Sequence, residues 1–439
     1  MARSIVALVG RPNVGKSSLF NRLTGERRAV IHDVPGTTRD RLYGTAEWNG
    51  QEFTVVDTGG IELEPEGLPQ EIRAQAEEAM READIILFVV DVMTGVTATD
   101  AEVADLLRRT DKPLLLVANK ADNVRRVKLA DEFYELGMGE PYAISALHGM
   151  GTGDMLDEVI TRLPREEFAE PDENTFSVAI VGRPNVGKSS LLNAILGEQR
   201  VIVSPTAGTT RDAIDTELEY GDERVVLIDT AGLRRRGRIE PGVEKFSVLR
   251  SVRAIERCDV AVLVIDADDG VTAQDAHVAG YVQEAMKGLL VVLNKWDLIE
   301  KVPTVAADFT SLVKRELNFV DYAPLLFLSA LSGRGTQRVL PAVKAIADQR
   351  RKRVPTAELN DAMREAFATH PLNDKGKPFK LFYVTQPQAS PPTFLFFVND
   401  PRRVHFSYIR YLENQIREHF GFEGTAIKIA FRGRGEPKK

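Results

Sequence analysis

Gly10-Arg11-Pro12-Asn13-Val14-Gly15-Lys16-Ser17 recurs residue for residue, 172 positions later, as Gly182-Arg183-Pro184-Asn185-Val186-Gly187-Lys188-Ser189. Each copy is a GxxxxGKS phosphate loop. In such a loop backbone N–H groups cradle phosphates, the Lys neutralises β/γ charge and the Ser hydroxyl meets Mg²⁺. An apolar run precedes each copy (Ser4 to Val9, Ser177 to Val181) and a helix-compatible run follows (Ser18 to Leu23, Ser190 to Leu196). That strand–loop–helix context sets a pyrophosphate at a helix N-terminus. Two copies predict two nucleoside-triphosphate sites.

The repeat runs well beyond these loops. Pro35-Gly36-Thr37-Thr38-Arg39-Asp40 is answered by Ala207-Gly208-Thr209-Thr210-Arg211-Asp212, and Asp57-Thr58-Gly59-Gly60 by Asp229-Thr230-Ala231-Gly232. Asn119-Lys120-Ala121-Asp122 is answered by Asn294-Lys295-Trp296-Asp297, and Ser145-Ala146-Leu147 by Ser329-Ala330-Leu331. A period this long means two whole domains rather than a solenoid. Within each copy apolar runs such as Phe53–Asp57, Ile85–Asp91, Leu114–Asn119 and Ala143–Ser145 alternate with helical stretches. Strands apolar throughout predict an α/β fold: a mainly parallel sheet with helices on both faces and sites at the strands' carboxyl ends.

The expected domains are 1–164, an acidic linker at 165–174, 175–350, a different module at 351–432 and a basic tail at 433–439. In the module, Leu359, Ala362, Met363, Ala366 and Phe367 fall at helical spacing, and Ile409, Leu412, Ile416 and Phe420 mark a second helix. Phe379–Gln386, Thr393–Asn399 and Ala426–Arg432 read as strands, giving a small α+β domain.

At 439 residues, 43% hydrophobic and 28% charged, the composition is that of a globular chain of several domains. The net charge of −7 hides an asymmetry, because Arg350 to the end holds 17 basic and 9 acidic residues. A basic module on an acidic body points to a nucleic-acid partner. The single Cys258 reads as a core thiol in a reducing, cytoplasmic setting. The N-terminus leaves no room for a signal peptide, and runs such as Ile85 to Val90 are too short to span a membrane.

The NKxD tetrapeptides select the base. An Asp carboxylate accepts two hydrogen bonds, from guanine N1–H and the exocyclic amine, a pairing that adenine cannot reciprocate. The Lys stem lies along the base and the Asn amide ties loop to loop. In the DxxG motifs, Asp57 and Asp229 are expected to hold Mg²⁺ through water, while Gly60 and Gly232 offer a backbone N–H to the γ-phosphate. A Thr hydroxyl in each preceding polar loop is expected over Mg²⁺; spacing alone leaves Thr37 or Thr38, and Thr209 or Thr210.

With these five motifs, in this order and duplicated, the chain resembles the translation-factor-related GTPases, in particular the Der (EngA) family of tandem GTPases. The resemblance covers essentially the whole chain. It implies two P-loop GTPase domains followed by a KH-like domain, and assembly of the large ribosomal subunit with its rRNA as partner; the sequence leaves open whether a separate activator exists. It favours Thr38 and Thr210 as Mg²⁺ ligands beside Ser17, Asp57, Ser189 and Asp229. The implied nucleotide-binding set is Gly10, Asn13, Gly15, Lys16, Ser17, Ser18, Asp57, Asn119, Lys120, Asp122, Ser145 and Ala146. Its second copy is Gly182, Asn185, Gly187, Lys188, Ser189, Ser190, Asp229, Asn294, Lys295, Asp297, Ser329 and Ala330. The groups implied in catalysis are Lys16, Thr38, Gly60, Lys188, Thr210 and Gly232.

After DxxG this chain carries Ile61 and Leu233, where Ras-type proteins place a water-orienting Gln. An apolar side chain cannot orient water, so turnover is expected to be slow. The resemblance implies K⁺, held in part by Asn13 and Asn185, to neutralise developing charge; the other reading is that these residues only shape the loop. Gly421-Phe422-Glu423-Gly424 matches the KH GxxG pattern but sits between a helix and a strand, where a helix C-cap and turn is the better reading. The acidic stretch 61–66 and the basic stretch 233–238 are expected to face opposite kinds of surface. A rival reading of the whole is a nucleotide-gated interaction scaffold whose client is not the ribosome.

Overall fold

The computed structural model describes residues 3–25, 43–57, 68–164, 174–197, 202–203, 215–230, 248–300, 304–374 and 377–433. Thr37, Thr38, Gly60, Ile61, Thr209, Thr210, Gly232 and Leu233 lie outside the described residues, as do residues 165–173 of the expected 165–174 linker, the stretches 61–66 and 233–238, and residues 434–439 of the expected tail. The chain divides into two compact units, Met1–Glu170 with Phe246–Glu256, and Pro171–Lys245 with Arg257–Lys439.

In the first unit β1 (Ile5–Val9), β2 (Tyr43–Trp48), β3 (Gln51–Asp57), β4 (Ile85–Asp91), β5 (Leu114–Asn119) and β6 (Pro141–Ala143) form one sheet in the order β2-β3-β1-β4-β5-β6. All pairings are parallel except β2 with β3. That hairpin turns on Asn49 and Gly50, both at positive φ, the requirement of a two-residue turn between twisted strands. The central strands β1 and β4 are buried along their whole length, which is why they read as unbroken apolar runs.

The second unit repeats the plan. β7 (Thr175–Val181), β8 (Ile202–Val203), β9 (Thr216–Tyr220), β10 (Glu223–Ile228), β11 (Val260–Asp266), β12 (Gly288–Asn294) and β13 (Leu325–Phe327) lie in the order β13-β12-β11-β7-β10-β9-β8. Here β9 runs antiparallel to both β10 and β8. Cys258 is buried at the foot of β11, where burial pushes its thiol up to about 12. A thiol so held stays protonated at neutral pH and serves as a small apolar filler.

The remainder of this unit is the α+β module. After a short antiparallel pair, β14 (Asn373–Asp374) with β15 (Lys377–Pro378), comes a sheet of β16 (Leu381–Gln388), β17 (Thr393–Val398) and β18 (Lys428–Gly433), with β17 in the middle. Helices Thr356–Thr369 and Phe406–Phe420 supply Leu359, Met363, Leu412 and Ile416 to a core with Phe394, Phe396 and Val398. Strand ends differ from the expected ones by about two residues, since local propensity fixes ends poorly.

The stretch Gly421–Gly424 forms the C-cap and turn after the second helix, with Gly421 and Phe422 both at positive φ. It also plugs the module onto the seven-stranded sheet. Leu289 N–H donates to Gly424 O at 2.7 Å, Gly424 N–H donates to Tyr322 O at 2.8 Å, and the fully buried Phe422 donates its amide to Gln349 Oε1. Arg350 lies buried beside them and donates to Met286 O at 2.7 Å and Thr425 Oγ1 at 3.3 Å.

Candidate nucleotide sites

Gly10 ends β1 with φ +152, and a Cβ there would stand 2.2 Å from Val89 O, so this position demands glycine. Asn13 follows at φ +65, a left-handed conformation that Asn tolerates well. Gly15, at φ +95, precedes helix Lys16–Thr24, and a Cβ would meet Asn119 Nδ2 at 2.3 Å. The helix starts with no side-chain cap hydrogen bond. Its first N–H groups are therefore offered to an anion instead of a neighbouring residue. Lys16 is only 6% exposed, its ammonium donating to Gly10 O at 2.7 Å and Arg11 O at 2.8 Å. Burial lowers its pKa, opposed by the Asp57 carboxylate.

Ser17 Oγ donates to Asp57 Oδ2 at 2.8 Å, bringing together two of the oxygens expected around Mg²⁺. Hard oxygen donors in this small number fit an ion that keeps its waters and takes the rest of its shell from phosphate. Ser18 is the next helical residue, and exposed.

Asn119, 2% exposed at the end of β5, joins two loops: its Nδ2 donates to Val14 O and its Oδ1 accepts from Ala146 N–H, each at 2.9 Å. Lys120, at φ +70, donates to Asn13 O at 2.8 Å and to Asp91 Oδ2 at 2.6 Å. Asp122 accepts from Ser145 Oγ at 2.7 Å on one oxygen and from Arg126 on the other. The Asp122 carboxylate is thus held by one short hydrogen bond on one oxygen and paired with a guanidinium on the other.

The second copy follows closely. Gly182 and Gly187 take φ +141 and +95, Asn185 takes +62, and helix Lys188–Leu196 again begins uncapped, with Ser189 and Ser190 in its first turn. Lys188 donates to Gly182 O at 2.9 Å and to Arg183 O. Asn294 donates to Val186 O at 2.7 Å and accepts from Ala330 N–H at 2.8 Å, and Lys295 pairs with Asp266. Ser329 Oγ accepts from the Ser332 amide, and Trp296 packs edge-on to Phe309 beside Asp297. Asp229 differs from Asp57: it stands just past β10 at φ +56, with its amide donating to Asp215 Oδ1 at 2.9 Å.

Two supports escaped the sequence reading. Arg11 reaches from the phosphate loop to Asp100 at 2.8 Å and Thr94 at 2.9 Å, and Asp100, fully buried, closes a capping box with Thr97. Arg183, Asp275 and Thr272 repeat this, and Asp266 repeats Asp91. The signal is in the sequence, because all four positions recur between the copies: Arg11 and Arg183 within the phosphate loops, and Asp91, Thr97 and Asp100 with their counterparts between the named motifs.

A family model described as 50S ribosome-binding GTPase matches residues 5–120 and again 177–295. A second, described as the KH-domain-like C-terminal part of EngA bacterial GTPase enzymes, matches 353–432. The GTPase Der of Chloroflexus aggregans is 55% identical over 443 residues, covering 99% of each chain. The chain belongs to the Der family of GTPases. The GTPase Der of Symbiobacterium thermophilum is likewise 55% identical, over 99% of this chain and 93% of that one. Among solved structures, the FeoB G-domain from Methanococcus jannaschii is 27% identical over 37% of this chain and 98% of its own, with a TM-score of 0.29.

Membership makes this a GTPase with two P-loop domains and a KH-like domain, and implies guanine nucleotide and Mg²⁺ as ligands. Among the described residues no helix is long and apolar enough to cross a membrane.

Proposed function

We propose that this GTPase is a GTP-gated factor in assembly of the large ribosomal subunit, acting in the cytoplasm with rRNA as its contact. The observation that carries the reading is the double match to a model described as 50S ribosome-binding, joined to a C-terminal region with a net charge of +8 from 17 basic and 9 acidic residues. Each domain, 1–164 and 175–350, binds one nucleotide, and 351–432 docks on RNA; 165–174 and 433–439 serve as linker and tail.

At each site the uncapped helix start and the buried Lys16, or the half-buried Lys188, take the β- and γ-phosphate charge. Ser17, Thr38 and Asp57, with Ser189, Thr210 and Asp229, would hold Mg²⁺, which when bound neutralises charge on the bridging phosphate oxygens. Gly60 and Gly232 sense the γ-phosphate through their amides. Asp122 and Asp297 read guanine, while Asn119 and Asn294 keep phosphate loop and base loop at fixed separation.

Turnover is slow, because Ile61 and Leu233 cannot orient water, and is raised by K⁺ partly held at Asn13 and Asn185. Both Asn residues adopt positive φ, which alone accounts for Asn in the loop. Comparing turnover in equimolar KCl and NaCl separates the roles. A rise of about tenfold in KCl is expected, and equal rates would leave these residues a shaping role only.

Sedimentation with isolated ribosomal subunits tests the function. Binding to the large subunit alone, with a non-hydrolysable GTP analogue and not with GDP, weakening steeply with salt, is expected. Absence of binding in every nucleotide state would overturn the ribosome reading and favour a scaffold with another client.

A further inference from the structure

The GxxG-like turn cannot clamp nucleic acid, because Phe422 is buried and Gly424 O is taken by Leu289 N–H. A different surface of the module carries the chemistry for RNA. Both long helices of the module cover one face of its sheet, where Val384, Phe394, Phe396 and Val398 are buried. The alternate residues stand on the other face. Strand register sets Tyr383, Phe397 and Arg432 in one row across β16, β17 and β18, with Leu395 and Ala430 in the next, and Lys428 in the third. Tyr383 and Phe397 lie ring on ring, with centroids 4.3 Å apart and planes 8° from parallel. Among the described residues β16 is an edge strand, with no strand beyond Tyr383, which is 45% exposed. No carboxylate stands on these rows.

We propose that this open sheet face binds single-stranded RNA, an unpaired base extending the Tyr383–Phe397 stack while Lys428 and Arg432 take backbone phosphates. An aromatic stack needs a flat π partner to extend it, and every base supplies one. A cationic third strand without carboxylates suits a polyanion, as does the +8 charge of the region. Duplex RNA, its bases already stacked internally, cannot extend the pair. The proposal rests on the RNA-partner reading above.

Fluorescence anisotropy of the full chain with a labelled single-stranded oligoadenylate, and with an RNA duplex of equal length, tests it. The single strand should bind more tightly. Tyr383→Ser should weaken it by about tenfold with an unchanged salt slope, and Tyr383→Phe should bind like the parent chain. Lys428→Glu should weaken binding and make the salt dependence shallower. Melting temperature and GTP turnover should stay the same in all three variants. Unchanged oligoadenylate binding by Tyr383→Ser, or a preference for duplex, would overturn the proposal. So would a Tyr383→Ser chain that keeps oligoadenylate but loses a salt-insensitive association with large subunits, since the face would then dock a protein. A parent chain that binds oligoadenylate through Tyr383 yet sediments with neither ribosomal subunit supports this face and overturns only the ribosome reading.

Discussion

Asp122→Asn is expected to lower GDP affinity at the first site by about 10⁴-fold and to raise XDP affinity at the same site. Asp122 offers two acceptors, and guanine presents two donors, N1–H and the amine at C2. An Asn amide keeps one acceptor and turns the other into a donor, which faces the C2 amine and leaves both unpaired. Xanthine carries a carbonyl at C2, so the same amide pairs with it fully. The carboxylate is oriented for this role by Ser145 Oγ at 2.7 Å, so the substituted amide inherits a defined position. Asp297→Asn should do the same at the second site. Titration with fluorescent GDP and XDP analogues reads both effects, and retained GDP preference in the variants would remove Asp122 and Asp297 from base reading.

Lys16→Ala should lower single-turnover GTP hydrolysis at the first site by about 10²–10³-fold, and Lys188→Ala should do so at the second. In the described structure the Lys16 ammonium is 6% exposed and satisfied by Gly10 O and Arg11 O. Burial disfavours its charge, and β- and γ-phosphates standing opposite are expected to restore it. Alanine removes the ammonium and leaves that phosphate charge to the helix N–H groups and the bound cations. Because the two sites lie on separate sheets, each single variant should keep the other site's turnover, and the double variant should keep neither. Full hydrolysis by the double variant would place the chemistry elsewhere.

The features legible in the sequence were those with a local cause. Gly10 and Gly15 are glycines because a Cβ would strike Val89 O or Asn119 Nδ2, and their spacing announced a phosphate loop before any fold was known. β4, buried on both faces, read directly as an apolar run. Asn49-Gly50 was an equally local signal for the β2–β3 hairpin that the expected strands left out. The rest depended on tertiary placement. Nothing near Arg11 in sequence reveals Asp100, and nothing in Gly421–Gly424 reveals that the turn seats against Leu289 and Tyr322. The sequence reads Phe382, Tyr383, Phe394, Phe396 and Phe397 mostly as core, with an exposed stacking face as the alternative; only the register shows that Tyr383 and Phe397 form the outer row, because alternation in an aromatic-rich strand does not say which face is covered.

If the duplicated motifs make two guanine sites, one chain binds two guanine nucleotides at once. Equilibrium dialysis of the full-length protein with labelled GDP and Mg²⁺, in the presence of excess ATP, tests it most directly. Two GDP bound per chain, undiminished by ATP, are expected. One GDP per chain, or displacement by ATP, would contradict it.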